Sequence, residues 1–439
     1  MSFILALGVL SVLLALGFAC RLALPVLGRL LLPVALLAGF LGLAAGPHGL
    51  DVIPRQVVTA WAAWPAVLIT FVFAGLFLGA PVPSLTAVAR TAGPLVRFSI
   101  VNAMGQYVVG LLLTWLVLGP LFGTPALFAC LIEVGFSGGH GTASAMTPVF
   151  QGLGFPAGAV LGQMSATVGL VAGVLGGVVL IQWGARRGHA TQIAPGSAML
   201  PQDLSGLLPP ESRRSIATGT VSGVALEPFT LHVAVTALAI LVGWGIQATL
   251  QLLHPVFNGF PLFPLAMIGG MLLQVLADRT GVAAWFDRAT FQRITGLALD
   301  LLVAAAVASM PLDLFAQNVV PFSLLMVAGV VWCVGSFVWM APRMLPRAWF
   351  EQGIVVYGTQ TGVAAVGLML LRVADPQQRT TATQAFAARS IVISPLLGGG
   401  LVTATMPLLV SQFGVVPMLV ASAVVTLAAW AWPTTGVRR

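Results

Sequence analysis

The sequence contains no lysine, and Asp, Glu and Arg together supply only 7% of its 439 residues. A soluble domain carries about 25% charged residues, so a water-facing surface cannot be assembled from this composition. Cysteine is scarce too. Cys20, Cys130 and Cys333 lie far apart, each inside an apolar segment and without CxxC spacing, which leaves them as small packing residues rather than a disulfide or thiolate framework. Nucleotide-binding loops, metal-ligand spacings and haem motifs are missing, so neither primary pumping nor an organic cofactor is indicated. The net charge of +8 comes entirely from Arg. Nucleic-acid binding needs a clustered, solvent-facing basic patch, whereas these Arg residues sit in short loops between apolar runs. Nucleic acid is therefore excluded as a partner.

Hydrophobic residues are abundant at 59%, with a mean hydropathy of +1.03. Apolar runs continue for roughly 20 residues, the length that crosses about 30 Å of hydrocarbon as helix, and they lack the two-residue alternation of barrel strands. The fold expected is an all-α polytopic membrane protein. Its crossings fall near 3–20, 22–45, 57–80, 94–119, 155–183, 230–253, 260–277, 293–311, 319–340, 383–410 and 414–432. The first, Phe3 to Cys20, lacks a basic leader and a small-residue cleavage site and reads as a retained helix, not a signal peptide.

Two Gly-rich stretches, 124–152 and 343–372, are apolar but interrupted. If both are re-entrant hairpins and the N-terminus is outside, every Arg except Arg55 falls at or near the cytoplasmic side; making either a full crossing inverts all later segments and spoils the bias. The expected architecture is then two inverted five-helix repeats, each with one hairpin. Residues 1–183 form the first repeat, 184–228 a cytoplasmic linker, 229–410 the second repeat, and 411–439 an extra C-terminal helix and tail, with the C-terminus cytoplasmic. Secondary transporters use such inverted repeats to alternate access. A weak internal repeat supports it: Glu133-Val134-Gly135-Phe136 resembles Glu351-Gln352-Gly353-Ile354, and Gly139 to Thr142 aligns with Gly358 to Thr361.

The first hairpin tip reads Gly135-Phe136-Ser137-Gly138-Gly139-His140-Gly141-Thr142, and the second Tyr357-Gly358-Thr359-Gln360-Thr361-Gly362. Glycines at this density break a helix, and backbone freed in hydrocarbon must be buried or line a polar cavity. Carbonyls ending one arm can hold a cation, and amides opening the next can hold a carboxylate. Thr142 and Ser144 are candidate caps or ligands. The bland alternatives are packing for the glycines, backbone support for His140, and bonding to the preceding turn for Thr359 and Thr361.

At these residues the chain resembles the sodium/glutamate symporter family. Ser137-Gly138-Gly139-His140-Gly141-Thr142 matches that family's first-hairpin signature, followed by its Gly-rich fifth helix at 158–180. The resemblance implies sodium-coupled symport of glutamate or a similar acidic organic anion across the bacterial inner membrane. It also implies a homodimer in which a hairpin-bearing transport domain moves against a scaffold. The second half departs more from the pattern, which leaves open a dicarboxylate or 2-hydroxy acid substrate and proton in place of sodium coupling.

Ionisable groups inside spans are expensive and point to function. Glu133 and Glu351 precede the two tips at matched positions, as candidate sodium ligands or supports for the broken backbone. Asp300, a further candidate sodium ligand, and Arg389 should lie roughly 10–14 Å from the cytoplasmic edge, paired or facing a shared polar cavity. Arg389 can grip a substrate carboxylate or snorkel to the interface. Asn102 and Gln106, one turn apart, can line the same cavity.

Two rivals belong to other classes. Gly135-Phe136-Ser137-Gly138 matches the GxSG pattern of intramembrane serine proteases, but a serine needs a base, and the mid-span candidate is His232. A passive channel needs a continuous pore, which two oppositely oriented hairpins do not suggest.

Overall fold

The computed structural model describes residues 2–29, 32–47, 49–80, 85–190, 192, 215, 217–253, 260–310, 317–375 and 379–432. Among them every regular element is a helix. The first half of the chain gives α1 (Ser2–Ala23), α2 (Pro25–Arg29), α3 (Val34–Ala45), α4 (Arg55–Ala74), α5 (Leu85–Leu113), α6 (Gly119–Phe122), α7 (Leu131–Phe136), α8 (Gly139–Ala145), α9 (Thr147–Gly152) and α10 (Ala157–Arg186). The second half gives α11 (Pro228–Leu253), α12 (Leu262–Thr280), α13 (Arg288–Ala308), α14 (Val319–Gly335), α15 (Ala341–Met344), α16 (Trp349–Ala374), α17 (Ala382–Ile393), α18 (Leu401–Phe413) and α19 (Val415–Ala431). Among the described residues eight stretches are long and apolar enough to cross a membrane, and further shorter apolar helices accompany them. The protein is an all-α polytopic membrane protein. Most of the 184–228 linker, namely 191, 193–214 and 216, lies outside the described residues.

Two of the expected crossings are interrupted. The 22–45 run is not one helix, because prolines at 25 and 33 lack the N–H that a continuing helix needs and restart it as α2 and α3. The 383–410 run divides into α17 and α18 around 394–400, where Gly398 and Gly399 take φ values of +67° and +97°.

Contacts divide the chain into two compact units, each drawn from both halves of the sequence. Unit one comprises Met1–Val82, Ser144–Met146 and Leu200–Pro311; unit two comprises Pro83–Ala143, Thr147–Met199 and Leu312–Arg439. Lipid tails are as apolar as the side chains, so helices in a bilayer associate through close packing of small residues. In unit one Ala35 and Ala38 of α3 meet Ala304, Ala305 and Ala308 of α13 around the buried Trp61, whose indole N–H donates to the Ala6 carbonyl at 3.0 Å.

Asp287 caps α13 in the same unit, accepting from the Thr290 amide at 2.8 Å and the Thr290 hydroxyl at 2.7 Å. Its own amide donates to His232 Nε2 at 2.8 Å, while His232 Nδ1 meets the Pro228 carbonyl at 2.6 Å. Both ring nitrogens of His232 are thus engaged in holding this loop, and neither is left to activate a serine. Partial burial acts to raise the Asp287 carboxyl pKa, but the hydrogen bonds from Thr290 and from the Thr218 amide outweigh it and hold it below the usual carboxylate range. A lowered folded-state pKa contributes stability above the ordinary carboxylate value, lost as pH falls through the folded one. Asp287→Ala should cost about 1 kcal/mol. Thermal unfolding in detergent at neutral pH checks this, and the difference from the parent should shrink on acidification.

In unit two, α5 and α14 share an unusual feature. Each runs into a π-helical turn, Thr114–Leu118 and Ser336–Met340, and then into a four-residue helix opened by proline at its second position. Both hairpin stretches fold back on themselves. A β-carbon on Gly162 would touch both Val134 and Ala143, so the two arms of the first stretch lie side by side. In the second, a β-carbon on Gly358 would sit 2.7 Å from the Cα of Gly367, whereas nine residues of continuous helix span roughly 13.5 Å. The reversal is at Gly362 (φ −139°) and Val363 (φ 62°).

Candidate functional site

The site residues of unit two gather around the two reversals. Gly139 sits at φ +72°, a conformation that glycine adopts without a steric penalty, and a β-carbon there would overlap Val363 Cγ1. The two tips therefore touch. Val363 is itself held at φ 62° and ψ 175°, a region that costs a β-branched residue of order 1–3 kcal/mol and recurs at functional sites.

The second tip is displaced from the position expected. Tyr357 to Thr361 belong to the helical arm that leads to the break, and Gly358 is a close-packing glycine opposite Gly367, not the turn. The Thr359 hydroxyl donates to the Val355 carbonyl at 2.7 Å and the Thr361 hydroxyl to the Tyr357 carbonyl at 2.8 Å. Their protons serve the preceding turn, while oxygen lone pairs remain. Tyr357 anchors the arm to α10 by donating to the Ala172 carbonyl at 2.8 Å.

Glu133 fastens the first tip to a third break. Its Oε2 accepts from the Tyr107 hydroxyl at 2.6 Å, and its Oε1 accepts from the Gly398 amide and the Thr403 hydroxyl, each at 2.9 Å. A β-carbon on Gly398 would lie 3.1 Å from Ser137 Oγ and 3.3 Å from its carbonyl oxygen, so the break between α17 and α18 abuts Ser137. Hydrophobicity alone makes 383–410 a plain crossing and conceals this element, although Gly398-Gly399-Gly400 is its visible signal. With three hydrogen bonds on its two oxygens, Glu133 is a positioning residue for the backbone. Glu351 is buried in the first turn of α16.

His140 Nε2 lies 2.9 Å from Thr167 Oγ1, whose own proton goes to the Gln163 carbonyl at 3.2 Å. The imidazole N–H is therefore the donor, and His140 ties the tip to α10. Gly141 and Thr142 follow in α8.

One face of α5 carries Ser99, Asn102 and Gln106, spaced three and four residues apart, and reaches three other elements. Arg389 Nε of α17 donates to Ser99 Oγ at 2.8 Å. Asn102 donates to Ser336 Oγ at 2.7 Å, and Gln106 donates to the Gln360 carbonyl at 2.7 Å, just before the second break. Ser99 is the partner that sequence reasoning misses, since 290 residues separate it from Arg389.

Among the described residues Thr142 Oγ1, Gln106 Oε1, Gln163 Oε1 and both amide atoms of Gln360 are buried without a hydrogen-bond partner. Arg389 is only 2% exposed, and among the described residues no carboxylate meets its guanidinium. Buried polar groups of native proteins are nearly always paired, and leaving one unmade costs about 1–3 kcal/mol. Oxygen atoms suit a small hard cation, and an unpaired guanidinium suits a carboxylate. Asp300 belongs to α13 of unit one, is exposed, and forms no hydrogen bond among the described residues. No group of three or more His, Cys, Asp or Glu side chains is placed to hold a metal among the described residues.

The family model described as sodium/glutamate symporter matches residues 1–358, a span that holds the first hairpin and the leading arm of the second and stops before the Gly362–Val363 break. No curated protein matches the chain.

Proposed function

Because the chain belongs to the sodium/glutamate symporter family, and is a sodium-coupled transporter and not an enzyme, we propose that substrate and ion meet where its two hairpin tips touch. The observation that carries this reading is the Gly139–Val363 contact, in a unit that also holds buried oxygens without hydrogen-bond partners and the buried Arg389 guanidinium, which meets Ser99 but no carboxylate among the described residues. Sodium is drawn by Thr142 Oγ1, the side-chain oxygen of Gln360, the lone pairs of Thr359 and Thr361, and carbonyls freed at the breaks around Ser137 to Gly141. Arg389 grips one substrate carboxylate in a two-pronged geometry. A basic group with no internal acid favours a substrate with a spare carboxylate, as in glutamate, aspartate or a dicarboxylate, over a neutral one.

Coupling follows from electrostatics. Ion and anion together satisfy the orphaned groups and cancel most of each other's charge, which lowers the cost of carrying the site past a low-dielectric barrier. Either one alone leaves a charge exposed to that barrier. The proposed frame is a pair of inverted repeats with the N-terminus outside and the C-terminus in the cytoplasm, in a bacterial inner membrane, assembled as a homodimer. Asp300, an exposed carboxylate on a membrane-length helix of unit one, needs polar surroundings and fits the wall of a water-filled cavity.

Uptake of labelled glutamate into proteoliposomes, with sodium and pH gradients imposed separately, tests the assignment. Accumulation should follow the sodium gradient and be competed by aspartate more than by neutral amino acids. Gln360→Leu should raise the half-saturating sodium concentration about tenfold, as expected for about 1.4 kcal/mol of lost coordination. Sodium activation unchanged in that variant would remove Gln360 from the ion site.

A further inference from the structure

One corner of unit two carries basic and aromatic groups that the transport reading does not use. Arg97 of α5 donates from Nε to the Ala429 carbonyl and from Nη2 to the Trp430 carbonyl, each at 3.2 Å. It thereby caps the C-terminus of α19, where a cation complements the unpaired carbonyls. The Trp430 ring stacks on Trp339 at 5.6 Å with the planes only 7° apart. Over the Trp339 ring lies the Arg343 guanidinium, 4.5 Å from the centroid, with Nη1 donating to the Trp339 carbonyl. Trp339 is 55% exposed and Trp432 is 65% exposed, while Arg343 and Arg347 are also exposed. No carboxylate pairs with Arg97, Arg343 or Arg347 among the described residues, and Arg97 Nη1 is buried without a partner.

These features belong together physically. Trp rings settle at the headgroup level of a bilayer, apolar face toward the acyl chains and N–H toward water. A guanidinium fixed over such a ring keeps a rigid set of donors at the same level, and guanidinium geometry matches phosphate oxygens two at a time. The Arg97 turn of α5, the end of the α14–α15 segment and the end of α19 meet here, all on the side to which the Arg distribution assigns the cytoplasm.

We propose that the Arg97–Trp339–Arg343–Trp430 corner is a binding site for the headgroup of an anionic phospholipid. The phosphate is held by Arg343, with Arg347 beside it, and the acyl chains run along the stacked Trp339 and Trp430 rings. The bound lipid braces α19 against α5, the helix that presents Ser99, Asn102 and Gln106 to the transport site.

Native mass spectrometry of the detergent-solubilised full chain with added phosphatidylglycerol tests this. The parent should retain phosphatidylglycerol in preference to phosphatidylcholine. Arg343→Gln should weaken its retention about fivefold, and Arg343→Gln with Arg347→Gln about 25-fold, from roughly one unit of surface-charge attraction per Arg. Arg55→Gln, in a different unit, should leave retention unchanged and controls for net charge alone. The water-soluble headgroup glycerophosphoglycerol should not displace the lipid; if it does, the site reads a free phosphate diester and the lipid assignment falls. Arg343→Lys separates folding from recognition, because it keeps the charge but loses the planar stack on Trp339: retention should fall at least twofold in a monodisperse sample. Equal retention by the parent and the Arg343→Gln variant would overturn the proposal.

Discussion

Sodium-driven uptake should fall about a hundredfold in Gly139→Ala while the protein still inserts and purifies. Two costs combine to give that loss. An L-residue held in the left-handed region loses roughly 1–2 kcal/mol, and the new methyl would overlap Val363 Cγ1, an overpacking of about 1–3 kcal/mol. Relieving both requires the two tips to part, and tips that part no longer share one solute. The same geometry supplies a stringent check. Val363→Ala deletes the Cγ1 that the methyl strikes, so Gly139→Ala with Val363→Ala should recover uptake about tenfold over Gly139→Ala alone. Residues in direct contact couple in this way, whereas independent sites give additive losses. Additive loss in the double variant would mean that contact between the tips does not govern transport.

Arg389 should show opposite effects on stability and activity. Arg389→Gln should raise the half-saturating substrate concentration about a hundredfold, since charge-assisted hydrogen bonds to a carboxylate contribute about 1.5–3 kcal/mol. It should also raise the melting temperature of the substrate-free protein, because a buried guanidinium with no internal acid is a net cost to the empty fold. Arg389→Lys should lose nearly as much affinity as the Gln variant, because an ammonium cannot offer two parallel donors. Ligand-induced stabilisation, strong in the parent, should be nearly absent from both. A snorkelling arginine would instead tolerate lysine with little loss of uptake, and its burial at 2% exposure beside Ser99 argues against that role. Melting curves with and without saturating glutamate and sodium separate the two outcomes.

Sequence and structure agree where local chemistry decides. The density of glycine from 135 to 141 marks an interruption, and the helix does break there: α7 ends at Phe136 and α8 opens at Gly139, whose φ of +72° glycine reaches without penalty. The length of the apolar runs likewise defines a polytopic helical protein without reference to partners. Agreement weakens where a glycine can serve either of two ends. Gly358 reads as a breaker but is required for the close approach of Gly367, and the turn itself falls on Gly362 and a strained valine. A valine at positive φ is invisible to any rule of propensity, because only tertiary packing can impose it. The break at 394–400 is hidden by its flanks, whose hydrophobicity makes 383–410 look continuous. The partners of Arg389 and Glu133 lie beyond sequence reasoning for a simpler reason: hydrogen bonds spanning 290, 265 and 270 residues leave no periodic trace.

The distance between Glu133 and its late partners has a consequence for biosynthesis. As the chain emerges, this carboxylate reaches the bilayer with Tyr107 already present, but Gly398 and Thr403 are still hundreds of residues from being translated. Until they arrive, the acceptor sites on Oε1 at the heart of the first hairpin must be met by water or by a proton. A product that terminates before 398 lacks both donors to Oε1, so the first hairpin is satisfied only once the last part of the chain has been made.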